Sequence, residues 1–154
     1  MVRNLFHQFL RPSSYVVMKH LMSIVLGAFM IKVGIEHFIR PAWFEPIVPR
    51  ILGYPKFWVH ATGVIEIVCG GALIITRTRR KAGLGLAAFL VIVYWANLNM
   101  WANDIKIGNT KFSTIEHVGR GFVQLIMIGI SLWVGGWFIG KKKKVCSLLA
   151  LDKE

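Results

Sequence analysis

The sequence predicts an all-α fold: a polytopic membrane protein built as a four-transmembrane-helix bundle, with a short interfacial segment between helices one and two. Three observations carry this reading. The 154 residues are 55% hydrophobic with a mean hydropathy of +0.57, above what a water-soluble single domain needs. The chain holds four apolar stretches of roughly 20 residues, the length at which a helix crosses about 30 Å of hydrocarbon. Nineteen Lys and Arg against seven Asp and Glu leave a formal charge of +12, and these cations flank the apolar stretches. That placement marks membrane topology and argues against nucleic acid as a partner; the expected partner is the lipid bilayer.

The chain reads as one membrane domain. Its helices are expected at about Val16 to Phe38, Phe57 to Thr76, Ala82 to Trp101 and Gly119 to Gly140, with a basic tail over 141–154. Runs of this length are helices because lipid offers no partner for an unpaired backbone group. Arg3, Arg11 and Lys19 precede the first apolar run, and no small-residue cleavage site follows, so a retained signal-anchor helix is expected. Neither end carries a lipidation motif. The Arg40 to Lys56 loop holds four prolines and interleaved aromatics, which exclude a plain helix. Trp43, Phe44, Tyr54, Phe57 and Trp58 suit the headgroup level, either as a segment lying on the outer surface or as an ordinary aromatic belt.

Cations set the orientation. Twelve lie at the N-terminus, in the Arg77–Lys81 link and in the tail with its Lys141 to Lys144 run, against five in the other two loops. Both termini are expected in the cytoplasm. Cys69 and Cys146 form no CxxC pair, so neither a disulfide framework nor a dithiol redox machine is implied.

Each helix then places polar groups in its outer half: Lys32, Glu36 and His37 on helix one, His60 and Glu66 on helix two, Tyr94, Asn97 and Asn99 on helix three, His117, Arg120 and Gln124 on helix four. Ionisable side chains in a span are costly, and four helices placing them at one depth predict one shared polar pocket for a ligand. The spacing agrees. His117, Arg120 and Gln124 stand at i, i+3 and i+7, as do Tyr94, Asn97 and Trp101, and Gly63, Glu66 and Gly70. Glu66, nearest the middle of its helix, is expected to pair with Arg120 first and Lys32 second, with Asn97 and Gln124 hydrogen-bonding the remainder. The competing reading is that these groups only fix helix register, although Gly27, Gly34, Gly63, Gly70, Gly71, Gly83 and Gly85 already offer small-residue packing. The histidines form no HxxxH or HxxE pair on one helix, and no metal site is expected.

Gly34-Ile-Glu36-His37-Phe38, Pro41-Ala-Trp43-Phe44 with Ile47-Val48-Pro49, Gly63-Val-Ile-Glu66-Ile with Gly70-Gly71, Arg79-Arg80-Lys81-Ala-Gly83-Leu-Gly85-Leu and Asn97-Leu-Asn99-Met100, in that order and spacing, resemble the DoxX family of small four-helix membrane proteins. The resemblance runs from about Leu21 to Phe138. It matches Glu36, His37, Pro41, Phe44, Pro49, Glu66 and Asn97, and imports no catalytic residue; His60, Arg120 and the lysine run have no counterpart in the pattern. That family takes its name from subunits of a thiosulfate:quinone oxidoreductase, and relatives are linked to membrane redox and thiol-stress complexes or to receptor assembly.

The resemblance implies a membrane subunit or accessory factor of a quinone-linked or thiol-stress oxidoreductase system, with a membrane or soluble oxidoreductase as partner. An apolar bundle with convergent polar groups is a usual form of such a site, with Glu66, His60 and Arg120 on the headgroup. With no CxxCH and no dinucleotide-binding glycine motif, no intrinsic cofactor is expected, and any redox group is a quinone or belongs to the partner. Two other classes stand beside it: a non-enzymatic assembly factor or chaperone, and a proton or small-solute carrier, for which four helices without an inverted repeat leave little room. An oligomer is compatible with all of these.

Overall fold

The computed structural model describes residues 12–107 and 110–138. The basic run Lys141 to Lys144, Cys146 and the last residues of the expected fourth span lie outside them. Helix α1 spans Pro12–Ile39, the single-turn α2 Pro41–Phe44, α3 Pro55–Ile74, α4 Arg79–Ala102 and α5 Thr114–Gly135. Two 3-10 turns, Glu45–Ile47 and Arg50–Leu52, join α2 to α3. Four of these helices are long and apolar enough to cross a membrane, so the protein is a multi-pass, all-α membrane protein. Among the described residues the sole β feature is an isolated bridge between Ile107 and Thr110.

The helix ends follow local chemistry. Pro41 and Pro55 open α2 and α3, where a missing N–H costs nothing. The first span begins at Pro12, ahead of the expected Val16. The last begins at Thr114, five residues before the expected Gly119. A reciprocal capping box sets that start: the Ser113 hydroxyl accepts from the Glu116 N–H, and the Glu116 side chain accepts from the Ser113 N–H at 2.7 Å. The same helix stops at Gly136, whose φ of 79° belongs to the left-handed region; its N–H and that of Trp137 close on the last carbonyls. The proline-rich loop, expected to avoid plain helix, indeed folds as single turns.

The four long helices form two close antiparallel pairs, α1 with α3 and α4 with α5, and the pairs meet through α3 with α4 and α1 with α5. In the first pair Gly27 faces Gly70 and Gly34 faces Gly63, so closely that a β-carbon on Gly27 would lie 2.6 Å from the Gly70 carbonyl oxygen. The glycines recur every seven residues on both helices, which keeps one seam in register along the contact. In the second pair Gly83 lies against the Ser131 and Gly135 backbone, and the Tyr94 ring covers Gly121.

Leu26, Met30, Leu73, Leu86, Phe89, Leu90 and Val134 form the buried apolar core. The α3–α4 turn at this end is locked by Arg79, which is 6% exposed. Its Nε donates to the Leu73 carbonyl at 3.1 Å, and its Nη2 to Ile74 O at 3.0 Å and His20 Nδ1 at 3.2 Å. A cation on the C-terminal carbonyls of α3 satisfies groups the helix leaves open and complements its dipole. The sequence reading had placed Arg79 with the topology cations; the structure commits it to the interior.

Candidate functional site

The polar residues gather at the opposite end of the bundle, beneath the 40–54 and 103–113 connections. They form two clusters, one in each helix pair.

The first lies between α1 and α3. The stripe of Gly63, Glu66 and Gly70 expected on one face of α3 is buried along its length. The two glycines bring the backbones together, and Glu66 projects into the contact one turn from Gly63. Its Oε2 lies 3.3 Å from His37 Nδ1, and both side chains are 9% exposed. The Nδ1–H of His37, however, is directed to the Val33 carbonyl at 2.8 Å, along its own helix. One proton cannot serve both acceptors well, and Glu66 Oε2 is accordingly buried with no hydrogen-bond donor among the described residues. Phe44 of α2 stacks on the His37 ring at 3.9 Å and 18° and covers the couple from the loop side. His60, one turn before Gly63, stacks on Phe38 at 5.1 Å.

The second cluster lies between α4 and α5. Arg120 Nη2 donates to Asn97 Oδ1 at 3.1 Å, Asn97 Nδ2 donates to Gln124 Oε1, and Gln124 Nε2 donates to the Leu90 carbonyl at 2.6 Å. The guanidinium sits over the Phe112 ring, 5.3 Å from its centroid. His117, on the same α5 stripe, is buried between Trp101 at 5.9 Å and Phe112 at 6.0 Å. The i, i+3, i+7 pattern therefore identified the inward face of α5 correctly.

Two expectations are corrected. Glu66 and Arg120 do not pair: among the described residues Lys32 pairs with Glu36 and Lys111 with Asp104, while Glu66 lies nearest His37, an ion pair only when that imidazole is protonated. Arg120 is satisfied by a neutral amide and an aromatic face, and the close α1–α3 contact turns Glu66 toward His37. Nor does Lys32 reach Glu66. It lies 3.7 Å from Glu36 one turn on, an ion-pair contact with side-chain exposures of 73% and 44%, so both point out of the bundle. Polar groups at one depth thus occupy two separate interhelical contacts and one outward face in place of the single pocket expected.

Sequence reasoning passed over two contributors, Phe112 and the Ser113-x-x-Glu116 box that positions His117 and Arg120 and was visible as a motif. Phe44, expected at the headgroup level, covers the first cluster as Phe112 covers the second. The 40–54 connection also meets α4 directly, since Asn99 Nδ2 donates to the Ile47 carbonyl at 3.5 Å.

A domain of unknown function, DUF8561, matches residues 26–135. The chain belongs to the DUF8561 family. The matched region contains both polar clusters and the glycine seam, and it stops at Gly135, the last residue of α5. No curated protein and no solved structure matches the chain.

Proposed function

We propose that this protein is a DoxX-like membrane subunit or accessory factor of a quinone-linked or thiol-stress oxidoreductase system, with its headgroup site at the His37–Glu66 couple. One observation carries the reading: the orphaned Glu66 Oε2, buried beside His37 under a stacked aromatic ring. A native buried polar atom without a partner asks for a use, and a headgroup oxygen is a partner of the right chemistry. The DoxX-like positions His37, Phe44 and Glu66 converge on the same end of α1 and α3, which supports the assignment. The site is narrower than the sequence suggested, since Arg120 belongs to the other cluster.

When bound, a quinone supplies two-electron chemistry coupled to protons, and the partner oxidoreductase supplies or accepts the electrons. This chain's own part is to orient the headgroup and to hold a proton at Glu66 Oε2 or at His37 Nε2. Access runs through α2, because Phe44 covers His37. The cation asymmetry supports an orientation with both termini in the cytoplasm and this end of the bundle outside.

The test is a titration of the purified full-length protein with decylubiquinone and with a short-chain menaquinone, followed by quenching of tryptophan fluorescence. Saturable quenching that weakens at least tenfold in Glu66→Gln, with thermal stability retained, supports the reading. Unsaturable quenching, or equal affinity in the variant, overturns it; a membrane client copurifying without quinone supports an assembly factor instead.

A further inference from the structure

Helix α1 carries two faces with a seven-residue repeat. The first is the Gly27–Gly34 seam filled by α3. Among the described residues the second is unfilled: Leu21, Val25, Ala28, Lys32, Ile35 and Ile39 follow one another at alternating steps of four and three residues, and all six are exposed. That spacing is the a/d repeat of a two-stranded coiled coil, which keeps one stripe against a partner helix over its whole length. Ala28 opens a surface hollow of about 430 Å³ on this face, bordered by Ile31, Lys32, Ile35, Glu36 and Ile39. A small residue in such a seam is what allows two spans to approach closely.

The interruption is Lys32. It stands seven residues, about 10 Å, inside the end of α1, exposed on a surface that otherwise meets lipid. A lysine at a single core position of a coiled coil specifies register and the number of strands. Glu36 flanks the seam one turn toward the outer end.

We propose that α1 forms a parallel, two-fold symmetric homodimer along this face, with Lys32 of each copy shared between its own Glu36 and the Glu36 of the second copy. The symmetry follows from insertion, since every copy crosses the membrane in the same sense and the two α1 helices must run parallel. A two-fold axis along the membrane normal then makes the patch self-complementary. Each copy brings one cation and one anion at neighbouring depths, so the four charges neutralise across the axis. The same arrangement withdraws Lys32 and Glu36 from lipid, where intramembrane ions otherwise face a bundle interior or a water-filled cavity. A second copy is the occupant that supplies matching charges at matching depths.

Oxidative cross-linking in native membranes tests this, using the full chain with Cys69→Ala and Cys146→Ser. A cysteine at Ala28 is expected to give a disulfide-linked dimer as the main product, and one at Ile92, exposed on α4, at least tenfold less. Adding Lys32→Glu, which sets like charges across the axis, is expected to lower the Ala28 cross-link at least tenfold. The exchange Lys32→Glu with Glu36→Lys restores opposite charges and is expected to recover it to within about twofold. This exchanged variant retains both charge types and decides the matter if Lys32→Glu alone fails to insert. No cross-link at Ala28, equal cross-linking at Ile92, a cross-link undiminished by Lys32→Glu in inserted protein, or an inserted exchange variant that does not recover overturns the proposal. So does an Ala28 adduct to a different protein.

Discussion

Gly34 and Gly63 meet backbone to backbone: a β-carbon on Gly34 would lie 2.7 Å from the Gly63 carbonyl oxygen, and one on Gly63 would lie 2.9 Å from that of Gly34. Carbonyl oxygens in helices cannot turn aside, so the helices themselves must separate. Gly34→Ala is expected to destabilise the bundle by about 1–3 kcal/mol, the usual range for overpacking. Gly71→Ala serves as the control, since its β-carbon meets open space; helix propensity there favours alanine by about 1 kcal/mol. Unfolding in mixed micelles measures both, and similar behaviour of the two variants would refute the zipper.

Gln124 links two helices by accepting from Asn97 and donating to the Leu90 carbonyl. In membranes such contacts average about 0.6 kcal/mol and reach about 1.7, because the separated helices find other partners. This one is buried and continues to Arg120, which favours the upper part of that range. A double-mutant cycle of Asn97→Ala and Gln124→Ala is expected to return a coupling of about 1 kcal/mol. Additive losses would mean that the two amides act independently.

Arg79 separates stability from orientation. Its fork holds two α3 carbonyls and His20, and hydrogen bonds from charged donors contribute about 1.5–3 kcal/mol. Arg79→Lys cannot reproduce the fork and is expected to cost about 2 kcal/mol. Arg79→Gln removes the charge as well, and the other eleven cations counted on that side of the chain remain, so in this second variant cysteines at Lys111 and at the exposed Thr76 are expected to label from opposite sides as they do in the parent. Inverted labelling in this variant would return Arg79 to the topology set.

The Lys111 ammonium lies 2.7 Å from Asp104 Oδ2 and holds that exposed carboxyl below its ordinary pKa of 3.8. A depressed aspartate value means that the pair's contribution is present at neutral pH. It begins to fall as pH drops below the ordinary value and is lost once pH passes below the folded one. A carboxyl 13C titration of selectively labelled protein should place the Asp104 midpoint below 3.8, and Lys111→Gln should raise it. A midpoint indifferent to that substitution would remove Lys111 as the cause.

Much of this architecture was legible in the residues. Chain composition demanded spans, the run lengths located them, and three-and-four spacing identified the inward faces carrying Glu66, Asn97 and Gln124. Which face meets which helix is another matter, because periodicity describes one helix at a time. The Glu66 partner was therefore sought by charge, at Arg120, whereas shape selected it: the Gly34–Gly63 approach leaves His37 as the neighbour. Lys32 and Glu36 were read inward because charge in lipid is costly, yet the glycine face of α1 was already taken by α3. Phe112 escaped notice, and Phe44 was legible only as a headgroup-level aromatic, because loop residues carry no period from which their position can be inferred.

The order of the chain gives the closest helix pair a place in time. Both members of the Gly27–Gly70 zipper, and the loop between them, are complete by Ile74, before any of α4 has been synthesised. The first half can thus close as a hairpin while the ribosome is still adding the second. Such a hairpin would bring His37 and Glu66 together first and give α4 and α5 a surface to pack against.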